Sequence, residues 1–246
     1  MNALVHKLGL SQTLSFHDVF SIDDPDLLAF VPRPANALLL VFPVSTTYEK
    51  YRMEEDARRP LYEGKGAQEP VIWYRQTIGN ACGLMGLLHA VSNGAAKDFV
   101  GTAPIYGLLL PKLTYASVEP QSDLAKLIHD AIPLAPTERA DLLYNSEALE
   151  HAHQSAASQG QTIAPDAEDN VDLHYVCFVK DQNTNHLWEL DGRRKGPLDR
   201  GVLDPEDDVL SEKALNLSVR KFLHREQAAP GGELRFSLVT LSPSLD

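Results

Sequence analysis

Apolar positions along this chain fall into dense runs and periodic stripes, and their spacing predicts interleaved strands and helices. Ala37 to Phe42 (ALLLVF) is continuously apolar, the pattern of a central strand buried on both faces. Val71 to Tyr74 is a shorter β-rich run that reads as the end of another strand. Gly79 and Asn80 break it. From Cys82 onward Leu84, Met85, Leu87, Leu88, Ala90 and Val91 come too densely for one face. That spacing predicts a largely buried helix, N-capped by Asn80 and stopped at Ser92-Asn93-Gly94. Helical patterns also cover residues 3–10, 25–30, 120–132, 136–154 (Thr137 capping, Glu138 just inside) and 205–226. In the last of these Leu210, Ala214, Leu217 and Lys221 form a stripe with Phe222 beside it. Strands are predicted at 15–21, 173–179, 187–190 and 234–241, the middle two forming a hairpin around Asp181–Asn185. Residues 45–70 read as a charged surface connection with a little helix. Residues 98–112, with Pro and Gly closely spaced, support no regular assignment. Residues 151–170 hold one bulky apolar residue, Ile163, so they predict a long loop. With no repeat, no linker and no βαβ rhythm, the expectation is one α+β domain over residues 1–246.

Charge narrows the function classes. The chain has 246 residues and 43% hydrophobic composition, ample for a core; 22 basic against 34 acidic residues give −12. Such a balance disfavours nucleic acid and anionic membranes, and suits a basic partner or plain solubility. Two cysteines, Cys82 and Cys177, build no disulfide framework and point to a reducing compartment. His6 and Lys7 interrupt the N-terminal apolar residues, unlike a signal peptide, and Ala37–Val44 is too short to span a bilayer. The expected location is the cytoplasm, with the nucleus as an extension.

The candidate chemistry starts at Cys82. In the first turn of a helix, free N–H groups and the helix dipole favour thiolate over thiol. A nucleophilic cysteine also needs a base, a group to orient the base, and oxyanion donors. His89 lies two helical turns on, ~10 Å away, too far to serve as the base. His151 and His153 sit in the polar loop. His174 opens a strand and is fixed by it. If the hairpin centres between Asn183 and Thr184, residue 176 faces 191, and Asp191 becomes a diagonal neighbour of His174. A one-residue slip would turn Asp191 to the other face. Gln76, six residues before Cys82, is a candidate oxyanion donor with the Cys82 N–H. Spacing alone leaves a second reading open, in which Cys82 is a small buried hydrophobe, His174 is structural and Asp191-Gly192 is only a turn. Cys177, inside a strand, is assigned to the core. Cys82, His174 and Cys177 have no metal-ligand spacing.

QTIGNACGLMGLLHAV, DLHYVCFV and LWELDGRRKGP resemble the three signature segments of the ubiquitin C-terminal hydrolases, a family of papain-like cysteine peptidases. SFHDVFSIDDPDLLAFVPRP, PRPANALLLVFP and GELRFSLVTLS resemble its N-terminal part and its last strand, in the expected order. In the family a short strand and a helical turn usually precede the segment that Met1–Leu10 resembles, and they are absent here. Leu84, Tyr175 and Trp188 stand where threonine, phenylalanine and tyrosine are common. The resemblance implies a largely antiparallel central sheet flanked by helices. It implies hydrolysis of amide or thioester bonds at the C-terminal glycine of ubiquitin, through an acyl-enzyme, by a monomer without metal or cofactor. Position by position it makes Cys82 the nucleophile, His174 the base, Asp191 its orienting acid and Gln76 the oxyanion donor. Ubiquitin, or a related modifier such as NEDD8, is the implied partner. Asp166, Glu168 and Asp169 are expected to meet its arginine-bearing tail, and the 151–170 segment to cross the cleft and admit only small or unfolded leaving groups. The competing reading is a catalytically silent ubiquitin-binding protein.

Overall fold

The structure, a computed structural model, describes residues 1–79, 81–101, 122–152, 173–230 and 232–245. Its centre is a six-stranded sheet of β1 (Leu14–Asp18), β2 (Ala37–Pro43), β3 (Leu173–Lys180), β4 (His186–Leu190), β5 (Leu198–Val202) and β6 (Ser237–Pro243). The spatial order is β1-β6-β2-β3-β4-β5, and every pairing is antiparallel. The continuously apolar ALLLVF run is β2, flanked by β6 and β3 as a doubly buried strand must be.

Side-chain alternation along β2 divides the interior into two layers. Ala37 and Leu39 pack with α1 (Asn2–Leu8), α4 (Cys82–Val91), α5 (Asp123–Ala131), α6 (Pro136–Tyr144) and α7 (residues 147–152). Leu38, Leu40 and Phe42 pack on the opposite face with α3 (Thr46–Ala57), α8 (Glu212–Leu217) and α9 (Val219–Ala228), beside the short α2 (Pro25–Leu28). Leu38, Leu39 and Leu40 are buried to within 1% of complete, so truncating any one to alanine would cost ~2–5 kcal/mol.

Several expectations from the sequence are corrected. Residues 45–70 hold more helix than expected, while 58–70 are irregular as expected. Ser45 caps a 12-residue helix, its Oγ accepting the Tyr48 N–H at 2.8 Å, and Tyr48 anchors it in the interior. Its remaining apolar positions are too sparse to show a helical period. The predicted strand at 71–74 has no sheet partner and is an extended segment buried against α4. β5 escaped notice because LDRGV is a polar edge strand. The single helix expected at 205–226 is two helices broken at Ser218, whose Oγ bonds back to Ala214 O at 2.6 Å. α6 starts from Ala135, not Thr137: Pro136 takes the first position and Glu138 accepts the Ala135 N–H at 2.8 Å. The helical run predicted to 154 is interrupted at Asn145–Ser146. In the 98–112 stretch, a 3-10 turn ends at Phe99 and Val100 bridges to Leu10; 102–112 lie outside the described residues. Of the loop expected at 151–170, residues 151 and 152 end α7 and the rest lie outside the described residues. No helix among the described residues is long and apolar enough to cross a membrane.

Candidate active site

The site forms where the start of α4 meets the start of β3. Glycine makes the approach possible: a Cβ at Gly86 would lie 3.3 Å from Tyr175 Cβ and 3.4 Å from Leu39 Cδ2. α4 therefore rides directly on the sheet, and Cys82 in its first turn comes within 3.5 Å of Leu173 O. The residue at the N-cap position is Ala81, which has no capping side chain. Asn80, the expected cap, lies outside the described residues. Without a side-chain cap, the first-turn N–H groups keep their capacity for other acceptors.

His174 and Asp191 meet through the hairpin register. Cys177 faces Leu190 and Phe178 faces Glu189, the register in which the turn centres between Asn183 and Thr184. Asp181 fixes it, its carboxylate accepting the N–H groups of Asn183 and Thr184 at 3.3 and 3.1 Å. Just past the end of the ladder, His174 Nε2 lies 2.9 Å from Asp191 Oδ1. The Arg193 N–H donates to the same oxygen at 2.8 Å, and Tyr48 Oη donates to Oδ2 at 2.5 Å. Trp73 Nε1 donates to the Asp191 carbonyl at 3.0 Å. Because Asp191 accepts from Nε2, the imidazole presents Nδ1 as its free nitrogen, buried and with no hydrogen-bond partner at ordinary distance.

Electrostatics follow from this geometry. Burial opposes the Asp191 charge, but His174, with the Tyr48 hydroxyl and the Arg193 N–H, outweighs it and holds the carboxyl far below the usual carboxylate range. Burial also opposes the His174 cation; the Asp191 charge and hydrogen bond, with the nearby Cys82, overcome it and raise the imidazole to about 9. Burial disfavours the Cys82 thiolate as well, yet interaction with His174, with help from Arg193, brings the thiol below its ordinary value. Cys177 shows the contrast: fully buried and without such partners, its thiol is pushed up by burial alone.

Gln76 arrives on the extended segment 71–76. Its N–H donates to Gly192 O at 2.9 Å, beside Asp191, and a Cβ at Gly192 would sit 2.9 Å from Gln76 Cβ. Glycine is needed at 192 for that close approach. The rest of the segment is held by side chains. His89 Nε2 accepts the Tyr74 N–H at 3.0 Å, and Asn93 accepts the Ile72 N–H at 2.7 Å while donating to Ile72 O at 2.9 Å. Burial keeps His89 neutral, lowering it to about 4. Gln76 Nε2 donates to Ile78 O at 3.0 Å, which leaves one amide hydrogen uncommitted; Oε1 is buried without a partner.

Cys82, His174 and Asp191 are thus in one constellation, with Gln76 tied to the Asp191 loop. Asp166, Glu168 and Asp169 lie outside the described residues. Tyr48, Trp73 and Asn93 were not singled out in the sequence, and no local signal marks them, because their partners lie 143, 118 and 21 residues away. No group of three or more His, Cys, Asp or Glu among the described residues could hold a metal ion.

Residues 1–224 match the family model described as ubiquitin carboxyl-terminal hydrolase, family 1. The ubiquitin carboxyl-terminal hydrolase isozyme L1 of Rattus norvegicus is 34% identical over 243 residues, covering 98% of this chain and 93% of that protein. The Homo sapiens isozyme L1 is 33% identical with the same coverage. Among solved structures, the Trichinella spiralis UCH37 catalytic domain bound to ubiquitin vinyl methyl ester superposes with a TM-score of 0.63. It is 17% identical and covers 98% of this chain and 90% of that one. At that identity the superposition speaks for the fold.

Proposed function

This chain belongs to the ubiquitin carboxyl-terminal hydrolase family 1, and from that premise we propose how its site performs the reaction. It is a deubiquitinating cysteine peptidase, acting at the C-terminal glycine of ubiquitin. Cys82 is the nucleophile, and its proton passes to His174 Nδ1, which leaves a thiolate beside the imidazolium. The sulfur attacks the glycine carbonyl, and the carbonyl π electrons move to oxygen. The oxyanion is received by the Cys82 N–H and the uncommitted amide hydrogen of Gln76. As the tetrahedral intermediate collapses, His174 Nδ1 gives its proton to the leaving amine or thiol, leaving ubiquitin as a thioester on Cys82. Neutral His174 then takes a proton from water, whose oxygen attacks the thioester and releases the ubiquitin carboxylate. Asp191 keeps the imidazole in the tautomer and orientation both steps require. The observation that carries this reading is the 2.9 Å contact of His174 Nε2 with Asp191, which leaves Nδ1 for the thiol.

The experiment is labelling by ubiquitin ending in a thiol-reactive electrophile. Wild type and Cys177→Ala should form a covalent adduct, and Cys82→Ala should not. An adduct on Cys82→Ala would overturn the assignment.

Finer features rest on the same reading. The enzyme works as a monomer in the cytoplasm or nucleus, where two free thiols stay reduced. It accepts ubiquitin, with NEDD8 as a further modifier, and Asp166, Glu168 and Asp169 meet the basic tail. It favours small or unfolded leaving groups over folded ubiquitin chains. Diubiquitin cleaved as fast as a small fluorogenic ubiquitin amide would remove that last preference.

A further inference from the structure

We propose that Tyr48 is a positioning residue for the reaction, its phenol donating to Asp191 Oδ2 and thereby aiming Oδ1 at His174. The inference rests on the triad reading above. Its observations are geometric. Tyr48 comes from α3, on the far side of the sheet from α4, and is only 2% exposed. Its Oη lies 2.5 Å from Oδ2, opposite the oxygen that serves His174. Its backbone is pinned by the Ser45 cap at 2.8 Å, and Ser45 Oγ is pinned in turn by Glu226 of α9 at 2.8 Å. The ring packs 4.7 Å from Phe42 and 5.9 Å from His174, centroid to centroid, so the hydroxyl has little freedom to aim elsewhere.

A donor on Oδ2 matters because a competitor waits there. Arg194, 3% exposed, places Nε 3.9 Å from the same oxygen while pairing with Glu189 at 3.2 Å and Glu55 at 2.9 Å. With the phenol gone, Asp191 gains by turning toward that guanidinium, which draws Oδ1 away from His174. The charged and titratable groups facing the pair are Tyr48 and Arg52 from α3, Cys82 and His89 from α4, and Glu189, Arg193 and Arg194 from the hairpin end. Among them only Tyr48 holds Oδ2 by a short neutral donor.

The test is Tyr48→Phe, which keeps the ring and removes the donor. It should lower kcat on a fluorogenic ubiquitin amide ~10-fold with KM unchanged, the effect of one hydrogen bond to a charged group. The pH–rate bell should narrow from both sides, because a misaimed Asp191 supports the thiolate–imidazolium pair less well. In an Asp191→Asn background the same substitution should cost no further activity, since Tyr48 acts through Asp191. An equal loss in that background, or an unchanged bell, would overturn the proposal. If Asp191→Asn itself left rate and bell untouched, the triad reading would fail instead. Should Tyr48→Phe not fold, 3-fluorotyrosine at 48 keeps shape and donor while strengthening donation. It should shift the alkaline limb, and an unmoved limb would again refute the proposal.

Discussion

His174 and Gln76 reach the site by two different constructions. His174 stands at the start of β3, where the strand is laddered to β2 opposite Phe42 before β4 joins it at Cys177, so its position is set by a backbone ladder. Gln76 ends a segment buried at Val71, Trp73 and Tyr74 but unpaired, whose backbone groups at Ile72, Trp73, Tyr74 and Gln76 meet His89 and Asn93 of the α4 region, Arg139 and Gly192. Buried backbone must find partners by one route or the other. The ladder makes a position insensitive to single side chains. The second construction makes the oxyanion donor depend on residues that touch no substrate, and ties it to the helix that carries the nucleophile.

The largest effects lie at the reacting atoms and do not discriminate between the two constructions. Cys82→Ala should abolish turnover while ubiquitin binding persists, and His174→Ala should reduce kcat by ~10⁴-fold or more. Cys177→Ala, three positions along the same strand as His174, should leave kcat unchanged, because that thiol faces the α4 layer. Steady-state kinetics with a fluorogenic ubiquitin amide decide all three.

Gln76→Ala should lower kcat ~100-fold with little change in KM, the cost of one oxyanion donor. A change confined to KM would mean that Gln76 binds ground-state substrate. Asn93→Ala then separates the two constructions. It strips the Ile72 N–H and C=O of their partner and the His89 carbonyl of a donor at 2.9 Å, costing ~2–3 kcal/mol of stability. It should also cost ~10-fold in kcat through misplaced Gln76. In a Gln76→Ala background that kcat loss should vanish while the stability loss remains. A kcat loss that persists would show that the segment does more than carry Gln76.

The same contrast explains what the sequence could reveal. β2, the hairpin register and the buried helix from Cys82 follow from continuous apolar runs and a turn of recognisable chemistry, all local signals. His174 and Asp191 were legible because one register fixes both. Val71–Tyr74 misled because its composition suits a strand. What denies it a ladder is the set of side chains at 89, 93 and 139 that take the place of a neighbouring strand, and no local pattern announces them. Tyr48 was hidden for a related reason: half of α3 is charged, and the residue that matters bonds to Asp191 across 143 positions. His89 was set aside as a base on helical spacing, and its buried role as acceptor for the Tyr74 N–H had no signature in the sequence.

The smallest effect is on stability alone, and it gives the two constructions opposite pH dependence. His89 is lowered from 6.5 to about 4 by burial, so between those values the unfolded chain takes a proton that the folded chain refuses. Stability must fall as pH falls through that window, by about 1.5 kcal/mol from about pH 6.5 to about pH 5. His174 is raised from 6.5 to about 9, so its contribution is full below 6.5 and is lost as pH rises toward 9. Cys82 titrates in the opposite sense there, so the alkaline slope is best read in Cys82→Ala, where Asp191 remains to hold the imidazolium. On the acid side the comparison is His89→Gln, which keeps a neutral acceptor for the Tyr74 N–H and removes the titration. Urea midpoints should decline on acidification more steeply for wild type than for His89→Gln, by about 1.5 kcal/mol over that span. Parallel curves would mean that His89 is protonated in the folded state, and that the segment carrying Gln76 is held by Asn93 and Gly192 without it.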